Sequence, residues 1–222
     1  MGNTVKGQCD PKFEKLKEEF ERNFAERGEV GASVCLSVNG ATAVDLWGGI
    51  ANKETGEAWE EDTVSIVFSC TKAAVATCAH ILIDRGQLNP AALVSEYWPE
   101  FACNGKEKTT VQMMLNHECA VPAFREPVRE GGFNDWDYMV GRVADEEAHW
   151  EPGTRNGYHM VNFGWTVGEL VRRVSGKSLG QFWQDEVAGP MGADFWIGLP
   201  DDVTPHIAPI RPYEPKPSDP PP

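Results

Sequence analysis

No apolar run in this sequence approaches the roughly 20 residues that a membrane-crossing helix needs, so insertion into a bilayer is not expected. Met1 to Asp10 is polar and lacks the apolar stretch of a signal peptide. The chain opens Met-Gly, but Lys6 stands where a myristoylation signal carries Ser or Thr. The six cysteines (Cys9, Cys35, Cys70, Cys78, Cys103, Cys119) form no C-x-x-C pair and no zinc spacing. Reduced thiols in a cytoplasm are the simplest expectation. Bases are scarce: 20 Lys and Arg face 34 Asp and Glu, a formal net charge of -14. Such a chain repels phosphate backbones and anionic lipid surfaces, which argues against nucleic acid and membrane as partners. The same acidity serves plain solubility equally well.

Several signatures are missing too. No internal repeat is visible. Without G-x-S-x-G there is no nucleophile elbow of the α/β-hydrolase kind. Gly176-Lys177-Ser178 resembles the end of a P-loop, but Val171 stands where its first glycine must be. His117-Glu118 lacks the second histidine of a zinc-protease helix. His80, His149, His159 and His206 are scattered and read as structural or solvent-facing. The Glu146-Glu147 pair reads as a solvated face, and Cys70 as a small buried hydrophobe.

What is present is a core. Hydrophobic residues make up 41% of 222 positions, with eight Trp and ten Phe, which fits one domain or one domain built from two lobes. Phe13, Leu16, Phe20 and Phe24 recur at helical spacing from Pro11 to Arg27, and Gly28 can end that helix. Two strand-like runs follow, Ala32 to Val38 and Ala43 to Trp47, separated by Asn39-Gly40, a strong hairpin signal because both residues accept positive φ. Val64 to Phe68 reads as a short apolar strand or an extended approach. Ser69 to Arg85 reads as a helix apolar nearly all round, the kind that sits in the middle of a fold, and Gly86 stops it. Val111 to Leu115, Asp135 to Val143, Val161 to Val174 and Leu179 to Glu186 are further helices.

Residues 205–222 hold eight prolines, which exclude helix and central strand and read as a polyproline-like linker or tail. The expected organisation is therefore α+β: residues 1–87 begin an α/β lobe, 88–188 form a mostly helical lobe, 189–204 return towards the sheet, and 205–222 are the tail. With two or three strand candidates, the sheet looks incomplete.

The chemistry-bearing residues begin with Ser69 and Lys72, an S-x-x-K pattern. Eight Ser and ten Lys predict about 0.4 such pairs by chance, so context has to supply the meaning. The pair opens the most apolar helix of the chain, where residues three apart are neighbours. A lysine in a first turn opposes the helix dipole, so helix stability does not explain it. Attack of a hydroxyl on an acyl carbon needs a nearby base, and a lysine kept neutral by burial serves. The Ser69 N–H at the helix start also suits a developing oxyanion. The alternative is Ser69 as a helix cap with Lys72 in solvent. Tyr158 is one of four tyrosines, and it follows Trp150-Glu-Pro-Gly-Thr154 and Asn156-Gly157. Displayed from such a turn, a phenol can shuttle a proton; a packed or hydrogen-bonding tyrosine is the alternative.

Ser69-Cys70-Thr71-Lys72, then Met113-Met114-Leu115-Asn116-His117, then Trp150-Glu-Pro-Gly-Thr154 leading to Tyr158 resembles the serine β-lactamase and penicillin-binding-protein superfamily. Phe163-Gly164-Trp165, Gly168-Glu169-Leu170 and Gly189-Pro190-Met191-Gly192 narrow the resemblance to the β-lactamase-like, family VIII carboxylesterases. It covers roughly residues 12 to 212. The resemblance implies an antiparallel sheet flanked by helices plus an all-α lobe, with the active site in a cleft between them. It implies Ser69 as acylated nucleophile, Lys72 as general base, Tyr158 as second base and proton relay, and no metal or organic cofactor. Three features depart from the family pattern: Met160 replaces the Asn of Tyr-x-Asn, Glu118-Cys119-Ala120 replaces the usual Ser/Thr-Gly turn, and no Lys-Thr-Gly occurs. The chain looks like the front part of a longer protein.

The function these residues point to is hydrolysis of a small-molecule ester or amide through an acyl-enzyme, short-chain carboxylic esters first. The same site on a β-lactam or peptidoglycan-like peptide is a second reading, which a cytoplasmic address disfavours. The third is a non-catalytic module whose open sheet edge pairs with a C-terminal segment or second chain.

Overall fold

Asp10 starts the first helix by accepting the Lys12 N–H at 2.9 Å, and Pro11 supplies a fixed φ. A 3-10 turn, Pro11–Phe13, passes into α1, Glu14–Glu26. These residues belong to a computed structural model that describes residues 5–201 and 206–211. The chain folds as two units: Met1–Ile66 with Pro200–Pro222, and Val67–Leu199.

In the first unit, α1 turns one face inward. Phe20 and Phe24 meet edge-on at 5.2 Å between ring centres and join Val44 and Leu46 in a small core. Full burial of each such side chain is worth about 2 kcal/mol. The hairpin forms as its turn signal requires: β2, Gly31–Val38, pairs antiparallel with β3, Ala41–Asn52, around Asn39 at φ 52° and Gly40 at φ 80°. Two strands escape the sequence reading. The polar stretch Lys6–Cys9 is β1, antiparallel on the other edge of β3, and Glu57–Ala58 is β4, also on β3. Both are exposed and owe their strand form to ladder bonds, which leave no apolar alternation to read. The expected strand from Val64 shrinks to β5, Val64–Ser65.

The proline-rich stretch is partly corrected. Ile207–Ala208 is a short strand parallel to β5, between Pro205 and Pro209 in sequence. A two-residue edge pairing is what prolines on either side still allow. Pro205 and residues 212–222 lie outside the described residues.

The second unit is helical. Its centre is α2, Thr71–Asp84, packed on α5, Phe163–Ser175, and α6, Leu179–Trp183, with α3, Val111–Leu115, and α4, Trp136–Asp145, completing the bundle. The sequence reading grouped the α2 helix with the N-terminal lobe; its packing partners lie some 90 residues later in the chain, which puts the division ahead of it. Nor is α2 enclosed on all sides. Ala74, Val75, Cys78, Ala79 and Leu82 are buried, while Ala73, Thr77, His80 and Asp84 form an exposed stripe at helical spacing. Gly176 (φ 72°) closes α5, and Ser178 caps α6 by accepting the Gln181 N–H at 3.2 Å, so Gly176-Lys177-Ser178 joins two helices.

Buried charge has polar partners. Glu169 is fully buried and accepts Trp136 Nε1 at 2.9 Å, Arg172 Nε at 2.7 Å and Arg173 Nε at 2.7 Å. Glu146 is not the solvated residue expected: it is 8% exposed and pairs with Arg125 Nη1 at 2.7 Å, while its carbonyl accepts the buried Lys106 ammonium. A carboxylate with such a partner tolerates burial that an isolated one does not.

Candidate active site

Ser69 sits in a 3-10 turn, Phe68–Cys70, that winds directly into α2. Lys72 is in the first turn of that helix, and its Nζ donates to Ser69 Oγ at 3.0 Å. The same ammonium donates to the Met160 carbonyl at 2.7 Å and lies 4.8 Å from the centre of the Tyr158 ring, a cation–π distance. Three side chains expected from sequence to work together are thus brought together across nearly 90 residues of chain, all within the helical unit. Lys72 is half-buried, less enclosed than the sequence reading supposed, and Ser69 is exposed. The Ser69 hydroxyl first, and then the Lys72 ammonium, hold the Tyr158 phenol below its ordinary value. A hydrogen-bonded neighbour and a nearby cation both favour the phenolate, which gives this direction.

Cys70 is a correction. Its thiol is exposed, because the residue belongs to the turn ahead of α2 and not to that helix's buried face.

The loop that presents Tyr158 is built against the turn after α3. Thr154 Oγ1 donates to the Glu151 carbonyl at 2.6 Å, the Gly153 N–H donates to the Glu118 carbonyl at 3.0 Å, and the Gly157 N–H donates to the His117 carbonyl at 3.0 Å. Gly157 is there for space: a Cβ would lie 2.3 Å from the Trp150 ring, whose Nε1 donates to the Arg155 carbonyl at 3.1 Å. Tyr158 is 54% exposed, so it is displayed from this loop and not packed in the core.

Two histidines lace the turn and the loop together. Sequence reasoning treated them as unconnected. His159 is fully buried: Val121 N–H donates to its Nε2 at 3.1 Å, so Nδ1 carries the proton and donates to the Gly157 carbonyl at 2.6 Å. Burial is the main cause that pushes this imidazole down to about 4, which keeps it neutral. Cys119, whose thiol lies 3.2 Å from the same Nε2, is pushed up to about 12 by burial. His117 accepts the His159 main-chain N–H on Nδ1 at 3.1 Å, and burial followed by the Lys72 charge lowers its pKa. The available signal was position: one histidine follows Tyr158 directly, and the other ends the Met113–His117 motif.

The departures from the family pattern now have a structural outcome. The Glu118-Cys119-Ala120 turn forms, with Ala120 at φ 63°, a conformation that glycine adopts more easily. The Met160 side chain is 65% exposed while its carbonyl serves Lys72. A cavity of about 370 Å³ opens beside it, lined by Pro122, Phe124, Pro127, Val128, Met160 and Val161 together with Arg125, Glu126 and Asn162. Among the described residues, no group of three or more His, Cys, Asp or Glu side chains could hold a metal ion, and no helix is long and apolar enough to cross a membrane.

Comparison with known proteins then decides the family. A family model described as Beta-lactamase matches residues 17–222. The chain belongs to the beta-lactamase family. Esterase/beta-lactamase LipL of Mycobacterium tuberculosis (strain ATCC 25618 / H37Rv) is 33% identical over 214 residues, which are 95% of this chain and 48% of that protein. The crystal structure of a family VIII carboxylesterase is similar with a TM-score of 0.83 and 42% identity, covering 89% of this chain and 55% of the other. A penicillin-binding protein homologue from Caulobacter crescentus gives a TM-score of 0.87 and 35% identity, covering 94% and 57%. The α+β, β-lactamase/transpeptidase-like fold is therefore that of the family. The chain spans about half the length of the curated relatives it matches.

Proposed function

We propose that this protein is a serine hydrolase that cleaves small carboxylic esters through an acyl-enzyme on Ser69. The observation that carries the proposal is the Lys72 ammonium, within hydrogen-bond reach of Ser69 Oγ and against the Tyr158 ring. In the first step Ser69 Oγ bonds to the acyl carbon while its proton passes to the Lys72–Tyr158 pair. The Tyr158 phenol hands a proton to the departing alkoxide, which leaves as the alcohol. Water then attacks the acyl carbon, its proton takes the reverse route to Ser69, and the acid is released. The Ser69 main-chain N–H, at the start of the helix, suits the oxyanion.

The surroundings support this choice of substrate class. Met160 offers no amide to an acyl side chain, and the cavity beside it is largely apolar, which favours short, apolar acyl groups. Six free thiols suit a reducing, cytoplasmic address, and a net charge of -14 disfavours nucleic acid as partner. The relative named esterase/beta-lactamase keeps a second substrate in view, a β-lactam opened by the same serine.

A fluorophosphonate probe with peptide mass spectrometry tests the site. Labelling at Ser69, abolished in Ser69→Ala, is the expected result; labelling elsewhere, or equal labelling of the variant, refutes it. Turnover of a chromogenic cephalosporin faster than of p-nitrophenyl butyrate would move the assignment from ester to β-lactam.

A further inference from the structure

The proposed chemistry uses Ser69, Lys72 and Tyr158, and leaves unexplained a histidine at the centre of the same cluster. His117 stands at φ 62°, a left-handed conformation uncommon for a non-glycine residue. Its ring lies 5.1 Å from Tyr158, 4.8 Å from Phe163 and 5.4 Å from His159, centre to centre. Its Nδ1 accepts the N–H of the residue immediately after Tyr158, and its carbonyl accepts the N–H of the residue immediately before, Gly157. The residue on each side of Tyr158 is thus tied by its main-chain N–H to His117, whose ring also backs the phenol.

We propose that His117 is a positioning residue for Tyr158: its neutral imidazole fixes the Tyr158 backbone and ring against Lys72, and its protonation releases them. The proposal rests on the assignment of Tyr158 as proton relay. Only the neutral ring has an acceptor at Nδ1; the imidazolium would set an N–H against the His159 N–H. It would also add a second cation beside Lys72. The groups facing His117 are Lys72 from α2, Tyr158 and His159 from the loop, the apolar Phe163 from α5, and Glu118 next to it in its own turn. Burial and the Lys72 charge both favour the neutral form.

The test combines two readouts, so that failure of the relay assignment and failure of this inference are distinguishable. The chain is labelled with 13C at the tyrosine ζ carbon, and Tyr158→Phe identifies the Tyr158 resonance among four tyrosines. As pH is lowered until the His117 ring resonance itself titrates, the Tyr158 resonance should follow it, and His117→Asn, which keeps an acceptor and tolerates the left-handed backbone, should abolish that inflection. In parallel, fluorophosphonate labelling of Ser69 should slow about tenfold in His117→Ala, as expected for one lost oriented hydrogen bond, and recover most of its rate in His117→Asn. Thermal melts establish that each variant is folded, and a variant that fails to fold is replaced by His117→Gln. If the Tyr158 resonance shows no inflection in the parent chain while the His117 ring titrates, or keeps it in His117→Asn, the inference is overturned whether or not Ser69 labels. If the inflection is present but His117→Ala labels at the parent rate, positioning by His117 is refuted as well.

Discussion

His159 should make stability fall as pH drops through the range where an ordinary histidine titrates. In the unfolded chain its imidazole has the ordinary value of 6.5, while in the fold burial pushes it down to about 4. Between those values the unfolded state binds more protons, so stability decreases as pH falls. The contribution is complete above pH 6.5 and lost towards pH 4. Displacement from 6.5 to about 4 corresponds to roughly 3 kcal/mol in full, a large share of an ordinary domain's 5–15 kcal/mol. By pH 5.2, still above the sequence pI of ≈ 4.8, about 1.5–2 kcal/mol should be gone. Urea unfolding of the parent and of His159→Asn at steps from pH 7.5 to 5.2 isolates this term. Both proteins carry the same carboxylates, whose effects cancel in the difference; because His117 touches His159, both are made in the His117→Asn background. The variant should be markedly less stable at pH 7.5, because the Val121 N–H and Gly157 carbonyl lose their shared partner, and the gap should narrow by about 1.5–2 kcal/mol at pH 5.2. A gap independent of pH would refute the reasoning, since a neutral buried imidazole cannot avoid this linkage.

Two other perturbations have outcomes set by the contacts. Glu169→Ala strips Trp136, Arg172 and Arg173 of their shared acceptor; with both guanidinium groups still partly in solvent, the expected loss is about 2–3 kcal/mol in urea titrations. Gly157→Ala drives a Cβ to within 2.3 Å of the Trp150 ring, so the Tyr158 loop must shift and Ser69 labelling should slow by about tenfold or more. Gly40→Ala is the control: nothing stands within 4 Å of its Cβ, so it should cost about 1 kcal/mol for its positive φ and leave labelling unchanged.

What sequence made legible here was local order with local causes. Asn39-Gly40 announced its hairpin, Gly86 and Gly176 their helix ends, and Val111–Leu115 its short helix. Ser69 and Lys72 were readable because one helical turn joins them, and Tyr158 because a resemblance to known proteins supplied the long-range link that spacing cannot. Whatever depends on partners distant in sequence stayed hidden. Lys6–Cys9 is a strand only because β3 lies beside it, and Glu146 is buried only because Arg125 and Lys106 meet it. The His117–His159 pairing spans 42 residues and has no periodicity to betray it.

Backbone strain leads to the same side chains by a route independent of resemblance. Among the described residues, five that are not glycine have positive φ: Asn39, Phe68, Asn104, His117 and Ala120. Asparagine accepts that conformation readily, and its two cases are ordinary turns. The other three each cost on the order of 1 kcal/mol or more. Phe68 directly precedes Ser69 and is 70% exposed, so burial of its ring does not compensate for the backbone it must adopt. His117 and Ala120 bracket the turn against which the Tyr158 loop is built, and Ala120 at least recovers part of its cost by full burial of its methyl group. Lys72 adds a cation at the wrong end of a helix dipole. Costs of this kind persist where the surrounding structure over-determines the geometry, and here that structure is visible in the bonds from Glu118, His117 and Val121 to Gly153, Gly157, His159 and the imidazole of His159. A chain selected for stability alone would have no reason to set a strained aromatic before Ser69, a misplaced lysine one turn after it, and a strained histidine and alanine in the turn that bonds the Tyr158 loop.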